Sequence, residues 1–149
     1  MKAWMAALGL GAMMVAPSAM ARVRAAAIDS TDQMSFSSKQ IRIAADCSEV
    51  DLTLRHTGKL PATAMGHNWV LTRAADYQLV ALAGMRTGIA DSYLPKGDKR
   101  ALAHTQVIGG GETARVRFST KGLQKGGDYT FFCSFPGHFA MMKGTFVFG

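Results

Sequence analysis

Near the C-terminus the chain reads Tyr129-Thr130-Phe131-Phe132-Cys133-Ser134-Phe135-Pro136-Gly137-His138-Phe139-Ala140-Met141-Met142-Lys143-Gly144-Thr145-Phe146-Val147-Phe148. Residues 129–134 and 144–148 are strand candidates, and between them Pro136-Gly137 can turn the chain sharply. Cys133, His138 and Met142 follow one another at spacings of five and four. With that turn, a thiolate at one strand end, an imidazole in the loop and a thioether at the next strand start can meet at one point. Three soft or borderline ligands in one loop suit copper. A hard cation would ask for oxygen ligands, and a structural zinc site would offer Cys and His without a thioether.

A second imidazole has to come from elsewhere, and His67 in Met65-Gly66-His67-Asn68-Trp69-Val70 is the best candidate. His56 and His104 compete with it. His56 shares the strand parity of Val50, Leu52 and Leu54, which favours a satisfied core histidine, and His104, between Ala103 and Thr105, reads as surface or structural.

Outward from this loop the chain is a series of short alternating segments. Val50, Leu52 and Leu54 take one parity while Asp51, Thr53 and Arg55 take the other, and residues 115–118 alternate likewise. Further strand candidates are 41–43, 68–71 and 102–107, separated by clusters such as Lys96-Gly97-Asp98 and Lys125-Gly126-Gly127-Asp128. Many short strands predict an all-β sandwich or barrel. One stretch breaks the pattern: residues 72–85 are rich in Ala and Leu, and predict a helical flap capped at Thr72.

Composition fits one packed domain, with 48% hydrophobic and 18% charged residues in a chain of 149. Residues 1–21 read as a secretory signal peptide: Lys2, an uncharged run over 3–16, then Pro17 and a small-residue cleavage site at Ala19-Met20-Ala21. The run is shorter than the roughly 20 residues that span a bilayer, so no stable membrane insertion is expected after cleavage. The mature domain would be residues 22–149, exported to an oxidising compartment where Cys47 and Cys133 would ordinarily pair. The formal charge of +7 comes from basic residues scattered singly, which argues against nucleic-acid binding and for a weak preference for acidic partners.

Four separated blocks carry a closer likeness: Asp32-Gln33-Met34, residues 65–71, Ala103-His104-Thr105, and the Cys133 loop with Met142-Lys143-Gly144-Thr145. In order and spacing the whole mature segment resembles the azurin family of bacterial blue-copper proteins. The resemblance implies a Greek-key cupredoxin β-sandwich of about eight strands. It also implies a mononuclear type 1 site with one copper ion, held by His67, Cys133 and His138 in a plane and by Met142 and the Gly66 carbonyl as weak axial partners. Asn68 resembles the family asparagine that ties the two ligand loops together, and N–H groups near Asn68 and Phe135 would bond the Cys133 sulfur. Trp69 reads as a core packing residue.

What the resemblance implies about function is a periplasmic electron carrier cycling Cu(I)/Cu(II), and not an enzyme. Copper storage or delivery is the alternative. Met34, Leu60, Met65, Met85, Phe135, Pro136, Ala140 and Met141 correspond to an apolar patch around His138, through which a monomer would meet c-type cytochromes or periplasmic oxidoreductases. Two departures stand out. Azurins usually join an N-terminal Cys to the position of Cys47, but Arg24 stands at the first place, which leaves Cys47 without an intrachain partner. Phe139 is bulkier than the small residue expected after the loop histidine.

Overall fold

A computed structural model describes residues 20–149. The cleavable leader expected over 1–21 therefore lies outside the described residues, apart from exposed Met20 and Ala21. In chain order the strands are β1 (Val23–Thr31), β2 (Ser35–Phe36), β3 (Gln40–Ile43), β4 (Glu49–His56), β5 (Val70–Arg73), β6 (Ala103–His104), β7 (Thr113–Ser119), β8 (Tyr129–Phe132) and β9 (Lys143–Phe148). Helix α1 (Ala62–Met65) precedes β5 and helix α2 (Tyr77–Gly84) follows it, with single 3-10 turns at Ile89–Asp91 and His138–Ala140.

The period-2 pattern of β4 fixes the first sheet. Val50, Leu52, Leu54 and His56 are buried, and the residues between them are half-buried or exposed. β4 lies between β1, parallel, and β7, antiparallel, and β2 completes the order β2-β1-β4-β7. The second sheet has the order β3-β9-β8-β5-β6, with β3 parallel to β9 and the other pairs antiparallel. The two mixed sheets make the expected cupredoxin sandwich. Among the described residues there are nine strands, in keeping with the expected eight or so; β1, absent from the strand candidates above, is the longest at nine residues, and β2 has only two.

Between the sheets the apolar faces close on Trp69, whose ring centroid lies 6.0 Å from Phe118 and 6.2 Å from both Phe131 and Phe146. The indole is fully buried, as a packing residue should be. Its Nε1 is the one buried side-chain nitrogen or oxygen without a hydrogen-bond partner among the described residues. Outside the second sheet, Val80 and Ala81 of α2 pack with Val70, Leu94 and Phe132 in a separate cluster. The flap is thus a packed helix. It starts at Tyr77 and not at Thr72, because Thr72 and Arg73 pair with Thr130 and Tyr129 in the sheet, and ladder pairing outweighs a weak helix preference.

Cys47 and Cys133 are both free and buried. At the place of the family disulfide, Arg24 binds Asp46 at 2.8 Å and Arg22 binds the same carboxylate at 2.9 Å. The two guanidinium groups hold the Asp46 carboxyl below its ordinary pKa, Arg24 by the larger share. Exposed pairs of this kind are screened by salt and do not replace a covalent link. In the native protein, alkylation should reach neither thiol, since both are buried. After denaturation and metal removal, mass spectrometry should count two thiols, whereas a Cys47–Cys133 disulfide would leave none.

Candidate metal centre

Three buried side chains bring their ligand atoms within 4.8 Å of one another: His67, Cys133 and His138. The Cys133 sulfur lies 3.8 Å from Nδ1 of His67 and 3.7 Å from Nδ1 of His138. The Gly66 carbonyl oxygen is 4.0 Å from the same sulfur. His56 and His104 are excluded from this group. His56 bonds the Met65 carbonyl through Nε2 at 2.9 Å and accepts from the Gly58 N–H through Nδ1 at 3.0 Å, so both ring nitrogens are satisfied. His104 is exposed on β6, at the edge of its sheet.

Each ligand is placed by backbone it cannot easily leave. His67 exchanges main-chain hydrogen bonds with Ile108, at 3.0 and 2.8 Å. Its Nε2–H donates to the Thr31 carbonyl at 2.8 Å, which fixes the tautomer and leaves the Nδ1 lone pair facing the sulfur. Met34 sits beyond that carbonyl at a positive φ of 54°, and Asp32 accepts from the N–H groups of Lys59 and Leu60 at 2.7 and 3.2 Å. His56 stacks on His67 with centroids 4.6 Å apart. At Gly66 an added Cβ would collide with the Ala62 carbonyl and the Val107 side chain, so only glycine lets this peptide approach the sulfur.

The C-terminal loop is held with the same economy. The Cys133 N–H donates to the Met142 carbonyl at 3.0 Å, and the Met142 N–H donates to the His138 carbonyl at 2.8 Å. The Met142 backbone thereby binds both Cys133 and His138, and the Met142 side chain is fully buried in the core cluster. Gly137 opens the 3-10 turn at a φ of 83°, the conformation for which its lack of a Cβ is suited.

Asn68 joins the two loops. Its Oδ1 accepts the Ser134 N–H at 2.8 Å, and its Nδ2 donates to the Ser134 hydroxyl at 2.8 Å and to the Ser92 carbonyl at 3.2 Å. The Ser134 hydroxyl in turn donates to the Ser92 carbonyl at 2.7 Å. Ser92 was not visible in the sequence as a site residue. It and Tyr93 adopt positive φ values of 53° and 51°, where Asn or Gly would have been the recognisable choice.

Electrostatics fit a soft cation. Burial pushes the Cys133 thiol up to about 12, against which the backbone N–H groups of Asn68 and Phe135 pull only partly. Those are the two donors expected for this sulfur. Burial lowers both imidazoles, His138 to about 4, with the neighbouring His67 adding to the shift of His138. Both rings are therefore neutral donors at pH 7, and a bound metal ion displaces only the thiol proton. His138 is 4% exposed and Phe135 covers its ring at a centroid distance of 4.5 Å.

Sandwich and site together define a cupredoxin with one His₂Cys metal centre. Residues 23–149 match the model of the copper-binding proteins of the plastocyanin/azurin family. The chain belongs to that family. It is 51% identical to the azurin of Bordetella pertussis over 140 residues, covering 93% of each chain, and 56% identical to the azurin of Pseudomonas fluorescens biotype C over 118 residues, 79% of this chain and 92% of that one. Among solved structures, the azurin Az-iso2 of the obligate methylotroph Methylomonas sp. strain J superposes with a TM-score of 0.81 at 42% identity, covering 84% of this chain and 97% of that one. The cofactor is one copper ion, and the protein is not an enzyme.

A pH dependence of the metal-free form follows from His138. Its folded pKa is depressed, so the unfolded chain binds the extra proton first as pH falls. The full contribution is present above about pH 6.5 and is lost progressively as pH falls toward about 4. Urea unfolding of the apo protein between pH 7.5 and 4 should show this decline, and His138→Gln should make it shallower, leaving the part that buried His67 contributes.

Proposed function

We propose that this protein is a periplasmic electron carrier in which His67, Cys133 and His138, with Met142 and the Gly66 carbonyl, would hold one copper ion. The observation that carries this reading is a buried His₂Cys donor set whose ligand atoms all lie within 4.8 Å of one another. Copper supplies a one-electron Cu(I)/Cu(II) couple there. The chain supplies rigidity: donors fixed by Thr31, Ile108 and the Asn68 network have little room to rearrange between oxidation states. Buried walls exclude water as a further ligand. The N–H donors on the Cys133 sulfur draw charge from the thiolate and favour the reduced state. A storage or delivery role would favour several labile sulfur ligands in an open site, and the set here is single and enclosed.

Export to the periplasm rests on removal of residues 1–21, leaving the single domain 22–149. Partners of the c-type cytochrome or oxidoreductase kind would approach His138, the ligand nearest a partly exposed apolar collar. Met141, Met85 and Leu60 are exposed, and Met65, Phe135 and Pro136 are half-buried. Apolar contacts without long-lived salt bridges allow close approach and quick release, and the working unit is a monomer.

Addition of Cu(II) should give an intense blue colour that ascorbate bleaches, and Cys133→Ser should abolish it. Met142→Leu should keep the colour and raise the reduction potential, because a thioether stabilises Cu(II) more than Cu(I). A pale, tetragonal Cu(II) spectrum from the unmodified protein would overturn the site.

A test of the collar is Met65→Glu. Electron self-exchange, measured by NMR line broadening in mixed oxidised and reduced samples, should slow at least about tenfold because two carboxylates must be desolvated face to face. The visible spectrum should hardly change. Unaltered self-exchange would place electron exit elsewhere.

A further inference from the structure

A second cleft, of about 310 Å³, lies on the outer face of the second sheet and is lined by Lys39, Tyr77, Thr130, Lys143, Gly144 and Thr145. Its floor is formed where β8 and β9 place Thr130 opposite Thr145. Gly144 lines the cleft with backbone alone, its missing side chain lying on the inner side, where a Cβ would meet the Phe131 ring. Two ammonium groups serve the cleft, and neither has an acidic partner. Lys143 Nζ donates to the Tyr77 hydroxyl at 2.8 Å and stands 4.9 Å from that ring's centroid. Lys39 Nζ donates to the Met141 carbonyl at 3.0 Å. The Lys and Arg salt bridges among the described residues engage Arg22, Arg24, Arg55, Lys96, Arg100 and Arg117, and no carboxylate lines this cleft.

Two positive charges held by neutral acceptors over a hydroxyl-lined floor leave a charge deficit that water alone answers. An oxyanion answers it better, since each ammonium retains free N–H donors and the Thr hydroxyls can donate as well. We propose that the cleft is a binding site for a small oxyanion, a phosphate or a carboxylate, seated between Lys39 and Lys143. The site is separate from the metal centre but joined to its loop, because Lys39 grips the Met141 carbonyl and Lys143 follows Met142 in the chain. The inference stands whether or not the protein carries electrons.

The test is a titration of the ascorbate-reduced, copper-loaded protein with inorganic phosphate and, separately, with acetate and succinate, at pH 7 and constant ionic strength, followed by ¹H–¹⁵N NMR. The expected result is saturable shifts of the Lys39, Tyr77, Lys143 and Thr145 amides. Stronger saturation by phosphate, or by the carboxylates, identifies which oxyanion the cleft prefers. Lys39→Gln and Lys143→Met should each weaken binding about tenfold, the loss of one charge-assisted hydrogen bond. Lys39 is exposed, so its variant should fold, and an intact visible spectrum after reoxidation would verify that for both. Shifts that never saturate, or that spread evenly over the surface lysines, would overturn the proposal, as would unchanged binding in the two variants.

Discussion

Everything at the metal-bearing end of this molecule answers to one sulfur atom placed where water cannot reach it. A cysteine thiol with its pKa pushed to about 12 has no reason to ionise unless a cation arrives, and Nδ1 of His67, 3.8 Å away, has no hydrogen to offer it. Such a cluster costs stability in the metal-free fold, since three polar groups are buried with part of their bonding capacity unused. The fold holds it together through bonds made elsewhere: His67 to Thr31 and Ile108, Cys133 and His138 to Met142, and both loops through Asn68 to Ser92. Copper would bind to donors that these bonds orient, and each such bond narrows the freedom the ligands would otherwise lose.

This division of labour explains which parts of the molecule could be read in advance. Cys133, His138 and Met142 sit within ten residues, so their spacing displays the chemistry. His67 became distinguishable from His56 and His104 only through its neighbours Gly66 and Asn68, whose roles require a specific fold around them. Strand β1 escaped notice for a physical reason. Its first half, rich in alanine, is exposed except for half-buried Ala26, so alternation is confined to the end holding Ile28 and Ser30, and its pairing with β4 is a long-range parallel match that no local pattern reveals. Helix α2 starts late because Thr72 and Arg73 were drawn into the ladder. Ser92 left no trace at all, since what it contributes to Asn68 is a backbone carbonyl.

The two departures from the family have unequal consequences. At Arg24 a covalent tie gives way to an exposed cluster in which two guanidinium groups share Asp46, a contact at one remote edge of the first sheet. Cys47 remains buried, and its carbonyl is still held by the Thr120 hydroxyl at 2.7 Å. The sandwich therefore keeps its local shape there while losing whatever constraint a crosslink would place on the unfolded chain.

Phe139 acts in the opposite sense, close to the site. Its bulk does not enter the space around His138; it packs instead on the cluster formed by α2 and the outer face of the second sheet, with Tyr77, Val80, Ala81 and Phe132. Tyr77 lies 6.0 Å from Phe132 and accepts the Lys143 ammonium, so the flap touches the ligand loop on both sides of Met142. A small residue at position 139 would leave the 3-10 turn without this apolar anchor, tied by its backbone bonds to Phe135 and Met142, by the Phe135 ring on His138 and by the Lys39 bond to Met141. With phenylalanine there, moving the loop also means exposing part of an aromatic ring and loosening a helix. Apolar burial outside the metal centre is thereby converted into rigidity inside it, and that rigidity is what a one-electron site requires.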